Sequence, residues 1–475
     1  MTRPAASDRS GAKIGPTLTV ILALFALSRV ALYAAGVKFD ASGLTWYWQY
    51  IEPSLLTDRL FESLWNLHSQ PPGFNLALGL ALKLSPVHFA ALIHCGYVLL
   101  GGVATVCLYL LARQLGLSNR VAAAVSILLA VAPATMLYEN WLFYEYPAMS
   151  LLLLASVLLH RFAATGSRRS GAAFFLVAAV LIYVRAVFQV VWLIPVLVVL
   201  ARVRGARTVA ICAAAPMVLI LLLYSKNLVM FGVPTTSSWL GMNLSRATVV
   251  RLPPETRNEL AESGVLHGVA RAGRFAPLEK YAPYLPAPVR TDVPVLDVPV
   301  KASGVSNFNH LSYLIVSREL FADSLWVIRH RPLVYLRSIG VSLYTAFLPT
   351  TDYFVFETGN GERIAWYERV IDRWALLAGR WTRGVSVTAL AAYAVAALYT
   401  VLVGWQVFRG RLALDARQVT LLFLAFTAAY VMTVSVMTER GENNRMRFIV
   451  DPLVMAVVAV AARRRMRVGE GDVAA

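Results

Sequence analysis

Residues 17–40 read TLTVILALFALSRVALYAAGVKFD. An α-helix needs roughly 20 apolar residues to cross a bilayer. This run supplies them and then leaves the apolar phase at Lys38-Phe39-Asp40. It is long and has no small-residue cleavage site, so it is expected to be an uncleaved membrane anchor and not a signal peptide. Comparable runs recur outward from it, at 88–112, 121–137, 147–163, 170–184, 187–201, 208–225, 385–407, 418–437 and 448–463. Composition agrees. The 475 residues are 58% hydrophobic and 15% charged, against about 45–50% and about 25% in soluble domains. The expected fold class is an all-α polytopic membrane protein of about ten transmembrane helices, with eleven or more left open. The open case is the apolar stretch 333–349.

Lys+Arg number 44 and Asp+Glu 26, a formal charge of +18. A nucleic-acid binder keeps its basic residues on a solvated face. Here they sit at the ends of apolar runs: Arg3/Arg9/Lys13, Arg113/Arg120, Arg161/Arg168/Arg169, Arg202/Arg204/Arg207, Arg409/Arg411/Arg417 and Arg463/Arg464/Arg465/Arg467. No nucleic-acid partner is expected; the bilayer is. Cytoplasmic loops carry the excess of Lys and Arg. All six groups fall on the cytoplasmic side of the membrane if the N-terminus is inside and 333–349 lies as an interfacial or re-entrant helix. The segments 38–87, 138–146, 226–384 and 438–447 then face outside. Three divisions follow: a transmembrane module 1–232, a periplasmic cap 233–384 and C-terminal helices 385–475. In the cap, the Pro-rich stretch Leu252–Pro299 reads as irregular surface structure. Arg318–Leu336 reads as helical with a break at Pro332. Cys95, Cys107 and Cys212 lie inside apolar runs and read as small buried hydrophobes.

The outer loops carry the candidate chemistry. Asp40 lies just past the first span, where a carboxylate can stand within hydrogen-bond reach of a hydroxyl. Aromatics Trp46-Tyr47-Trp48 and a helix-like spacing Leu56/Leu60/Phe61/Leu64 follow, as expected for an interfacial helix. Next comes Asn66-Leu67-His68-Ser69-Gln70-Pro71-Pro72. This order resembles the GT-C glycosyltransferases, the group containing protein O-mannosyltransferases and the lipid A aminoarabinose transferase. The family's first outer loop has an acidic residue implicated as catalytic base or in metal contact, and the match falls on Asp40. Pro71-Pro72 match the family's Pro-Pro turn. Relatives often have Lys or His directly before it; here Gln70 holds that place and His68 stands two residues earlier.

The resemblance implies an inverting transfer of sugar from a polyprenyl-phosphate donor to a glycan, lipid or protein acceptor. Asp40 would be the base, and Glu139 of the second outer loop, preferred over Glu145, would approach the site. Arg185 interrupts an apolar stretch, where a charge is costly. Together with Lys226, Arg445, Arg447 and His68 it is expected to hold the donor phosphate, since guanidinium suits bidentate phosphate contact. Gln70, Tyr144, Asn243 and Glu442 are candidate substrate contacts. A divalent metal ion is left open as cofactor, with Asp40 and Glu139 as ligands. No phosphate loop, dinucleotide fingerprint, HExxH or GxSxG occurs. The rival readings are a transporter or lipid flippase, a ligase using a polyprenyl-diphosphate donor and a non-catalytic envelope subunit. Transporters often show internal repeats, and none is evident. The ligase would need a larger basic pocket.

Overall fold

The computed structural model describes residues 14–287, 289–374 and 384–472. Arg3, Arg9, Lys13 and Pro288 lie outside the described residues, as do the side chains of Arg464, Arg465 and Arg467. Among the described residues the chain is all helix and loop, with two isolated bridges, Asp40 to Trp141 and Val300 to Ser306. Sequence-local chemistry sets many helix ends. Ser118, Ser167, Ser386 and Asp415 accept a first-turn N–H at their helix starts.

Among the described residues six helices are long and apolar enough to cross a membrane: Gly15–Ala34, Phe89–Gln114, Glu145–Thr165, Ala206–Phe231, Val387–Phe408 and Ala416–Thr438. A seventh is counted if Asn119–Val131 and Pro133–Glu139, bent by 52°, form one broken span. The bend follows from Pro133, which lacks an N–H and forces Ala132 into an extended conformation. Three further expected spans fall on helices outside this set. Two are short, Arg168–Val184 with 17 residues and Val190–Arg204 with 15. The third, Asn443–Asp472, carries Arg445, Arg447 and Asp451 in its first turns. Residues 333–349 fall mostly on the 15-residue helix Pro332–Ala346. At about 1.5 Å per residue, it is shorter than a hydrocarbon core of about 30 Å.

One continuous core runs from Ile21 to Val460 and joins the N-terminal helices to the C-terminal ones. The outward faces are apolar as well, with Leu398, Val401, Leu402 and Trp405 exposed along one helix and Val218, Leu221, Leu222 and Val229 along another. Apolar bands of this size suit contact with lipid. Cys107 and Cys212 are buried as expected, but Cys95 is exposed. The cap has two small cores, one around Trp239, Phe308 and Tyr313 and one around Val249, Leu266 and Val327. The expected helix break at Pro332 is present, between Ser312–His330 and Pro332–Ala346. The expectation for Leu252–Pro299 is corrected. Pro254 and Pro294 each open a short helix at its first position, where a missing N–H costs nothing. Gly241 is obligatory here, since a Cβ would lie 1.7 Å from the Ser317 carbonyl oxygen.

Arg29, inside the first helix, makes a closed ion pair with Glu139. Arg29 Nε donates to Glu139 Oε1 at 2.9 Å and NH2 to Oε2 at 2.6 Å. Tyr146 donates to Oε2 at 2.5 Å, and Arg29 NH1 also reaches the Ala130 carbonyl at 2.6 Å. Gly101 leaves the space, because a Cβ there would stand 2.6 Å from Glu139 Oε2. Removing one partner of such a buried pair costs about 3–5 kcal/mol, whereas apolar replacement of both is often neutral. Glu139→Leu is therefore expected to lower the melting temperature in detergent sharply, and Arg29→Met in the same chain to restore most of the loss. A double variant no more stable than the single one would refute the pairing.

Candidate functional site

The site is built on loop 138–146. Asp40 N–H donates to the Asn140 carbonyl at 2.8 Å and Leu142 N–H to the Asp40 carbonyl at 2.9 Å, which ties this loop to segment 38–87. Two buried phenols satisfy the next carbonyls: Tyr50 donates to Leu142 at 2.7 Å and Tyr97 to Phe143 at 2.6 Å. The pinned loop delivers Glu145 as the first residue of helix Glu145–Thr165. Its side chain does not cap that helix but enters a charge cluster. Arg185 NH2 lies 3.3 Å from Glu145 Oε1 and Arg445 Nε 3.5 Å from the same oxygen. Glu145 is fully buried and Arg185 and Arg445 nearly so. These contacts are long. Neither Glu145 oxygen makes a hydrogen bond, and the Nε groups of Arg185 and Arg445 make none.

Each arginine is placed by its own segment. Arg185 stands in the break between helices Arg168–Val184 and Val190–Arg204, 4.3 Å over the Tyr144 ring. Arg445 is in the first turn of helix Asn443–Asp472, 4.8 Å from the Phe143 ring centre, and its NH2 contacts Glu442 Oε2 at 2.6 Å. Arg246 adds a third cation, 3.1 Å from Glu439 and 3.8 Å from Glu442. Burial works to raise the Glu442 pKa, but Arg445, Arg246, Arg185 and Arg274 outweigh it and hold the carboxyl below its usual range.

Arg185, Arg246, Arg445 and Glu442 line a cavity of about 470 Å³. Gln70, Tyr144 and Asn243 line it too, so six of the expected site residues meet there. Trp48, Trp239 and Phe275 form an aromatic wall, and Val187, Val190, Val191 and Val434 an apolar flank. Phe275 has a φ of 45°, unusual for a bulky residue, and sits 5.2 Å from Trp48 and 5.3 Å from Trp239. Such a backbone costs about 1–3 kcal/mol and persists only where packing over-determines it.

Five expected residues stand elsewhere. Asp40 is half-buried in a separate niche of about 230 Å³ with Asn140, Trp141 and Asn360, and its Oδ1 accepts from Ser42 N–H at 2.9 Å. Trp141, stacked 4.5 Å from Phe143 and donating to Tyr47 OH at 2.6 Å, stands between that niche and Arg445. Glu139 has both oxygens engaged by Arg29 and Tyr146, so the Asp40–Glu139 metal pair is not formed. Among the described residues no group of three or more His, Cys, Asp or Glu side chains is arranged to hold a metal ion. Lys226 donates to the Trp65 and Leu67 carbonyls at 3.0 and 2.7 Å and fastens segment 38–87. Arg447 turns away from Arg445, because residues two apart on a helix do not share a face. It contacts Asp451 at 3.3 Å and the Ala346 carbonyl at 2.8 Å.

His68 is fully buried, 2.8 Å from Ser238 Oγ and 2.9 Å from the Asn309 carbonyl. Burial, with the charges of Lys226 and His310, pushes its pKa down to about 3. Both ring nitrogens are engaged and the ring does not line the Arg185–Arg445 cavity, so His68 does not stand at the phosphate position expected of it.

Four charged residues were missed. Arg29 and Arg185 are both single arginines in apolar runs, and the same signal marks each. Glu145 was passed over for Glu139, although it directly follows Tyr144 at a helix start. Arg246 and Lys301 carry no local signature. Lys301, nearly buried, donates to the Tyr47 and Tyr50 carbonyls at 2.9 and 2.6 Å.

The folded pKa of His68 lies below the unfolded value of about 6.5. The unfolded chain therefore binds the extra proton, and stability present above about pH 6.5 falls on acidification towards the folded pKa, by about 1.4 kcal/mol per unit. Melting in detergent between pH 7 and 5 should show this slope, reduced in His68→Gln. Parallel slopes in the two proteins would count against it.

Neither the known protein families nor the curated proteins contain a match to this chain.

Proposed function

We propose that the chain is an inverting GT-C-type glycosyltransferase of the cytoplasmic membrane. It moves a sugar from a polyprenyl-phosphate-linked donor to a glycan, lipid or protein acceptor at the outer face. This reading takes about ten crossings, the short helices included, with the cap outside. The observation that carries it is the under-satisfied cluster Arg185–Glu145–Arg445, whose two arginines line a cavity together with Arg246, Glu442 and a set of valines. Guanidinium groups at a cavity wall suit a phosphate, and the apolar flank suits the lipid that carries it.

In the reaction the acceptor oxygen bonds to the anomeric carbon while the carbon–oxygen bond to phosphate breaks. The electron pair goes to the phosphate, which Arg185 and Arg445 stabilise as its charge grows. The acceptor proton goes to a carboxylate. Asp40 takes it if the acceptor enters through the Asp40 niche and the Tyr47–Trp141 wall parts. Glu442 is the second assignment, favoured by its place inside the cavity.

Purified protein with radiolabelled polyprenyl-phosphate sugars tests this. Turnover is expected, falling about 100-fold or more in Arg445→Gln. Asp40→Asn should cost about 10²–10⁴ if it is the base. Unchanged turnover in Asp40→Asn together with loss in Glu442→Gln would move that role to Glu442. No transfer or hydrolysis from any polyprenyl donor, with lipid movement in proteoliposomes, would replace the enzyme by a transporter.

A further inference from the structure

The cluster holds more positive charge than one phosphodiester needs. Arg185, Arg246, Arg274 and Arg445 all act on Glu442, and Arg251 and Arg440 adjoin them. Against these six stand Glu145, Glu439 and Glu442, an excess of 6 − 3 = 3 positive charges. Arg251 is exposed and therefore screened. Setting Arg251 aside leaves five arginines against three carboxylates, an excess of 5 − 3 = 2. A polyprenyl-phosphate sugar is a phosphodiester with one negative charge, whereas a diphosphate-linked sugar carries two.

Of the extra cations, Arg246 lines the cavity, and Arg274 directly precedes Phe275, which lines it. Arg246 comes from the short helix region after Leu240–Ser245, and its buried Nε has no hydrogen-bond partner. Arg274 makes no hydrogen bond or ion pair among the described residues. Burial, and then repulsion from Arg246 and Arg251, pushes its pKa down to about 10. Its position is enforced. Gly273 before it has a φ of 81° and Phe275 after it a φ of 45°. Tyr281 OH ties the Gly273 carbonyl at 2.8 Å, and Phe275 is wedged against Trp48, Trp239 and Phe308. A strained backbone thus holds an unpaired, half-buried guanidinium beside the cavity wall.

We infer that Arg246 and Arg274 form a second anion subsite at the cap side of the cavity, beside the Arg185–Arg445 subsite, for a second negative charge on the bound substrates. Resting on the transferase reading, it narrows the substrates to a pair carrying at least two such charges. The second charge comes from a donor diphosphate or from an acidic acceptor sugar.

Trp48 and Trp239 line the cavity, so intrinsic fluorescence reports binding to the full-length protein in nanodiscs. The probes are polyprenyl monophosphate, polyprenyl diphosphate and a hexuronate-containing oligosaccharide added with the monophosphate. If the donor supplies both charges, wild type binds diphosphate about tenfold tighter than monophosphate, and Arg274→Gln brings the ratio near one. If the acceptor supplies the second charge, the acidic oligosaccharide binds in an Arg274-dependent way and diphosphate has no advantage. Arg274→Lys keeps the charge and should recover part of either effect, which separates charge loss from misfolding. Wild-type behaviour of Arg274→Gln towards all three probes overturns the second subsite. Wild-type binding of both lipid phosphates by Arg445→Gln would instead overturn the phosphate reading of the first.

Discussion

The position of the Glu145 carboxylate is the constraint on which the site depends. It is fully buried, and a buried charge must be compensated. The two guanidinium groups that compensate it come from residues 185 and 445, forty residues and three hundred residues away in the chain. Helices Glu145–Thr165, Arg168–Val184 and Asn443–Asp472 must therefore dock together before the carboxylate is tolerable. That requirement places the break after Val184 and the loop 439–442 around one space, and the cavity is what remains between them.

Two buried Arg–Glu arrangements among the described residues behave differently. Arg29 and Glu139 are matched along both edges at 2.6 and 2.9 Å, with Tyr146 closing the remaining site. That pair has no capacity left for a ligand and acts as a brace between the first helix and the bent one. The contacts of Glu145 to Arg185 and Arg445 are longer and leave donors unused. Low dielectric makes unsatisfied groups costly, so such a set is poised to gain from an added anion. The difference between brace and site lies in satisfaction, not in burial.

Much of this was legible in the residues. Helical periodicity and apolar length located the main helices, and Arg185, Arg445 and Glu442 were marked by charge in or beside apolar runs. Failures came where sequence cannot express direction. Arg445 and Arg447 are alike in sequence but face opposite ways on their helix. Glu139 and Glu145 flank one loop, and only tertiary packing shows that Arg29 has claimed the first. His68 was expected at the phosphate from its place just before the Pro-Pro turn; its partner Asn309 lies 241 positions on. Arg246 belongs to the cap, whose two small cores leave little periodic signal.

Lys301 and Asn309 have a consequence for biosynthesis. The ammonium of Lys301 holds the Tyr47 and Tyr50 carbonyls, and the Asn309 amide accepts from His68 and Ser69 N–H while donating to the Asn66 carbonyl. These partners leave the ribosome some 240–250 residues after the loop they complete. On the proposed topology the first outer loop reaches its compartment early and waits, its carbonyls and amides hydrated, for the cap to follow. Domains made from contiguous sequence can finish as they emerge. This one cannot, so the interval between insertion of the first helix and export of the cap is when the nascent chain is most open to quality control.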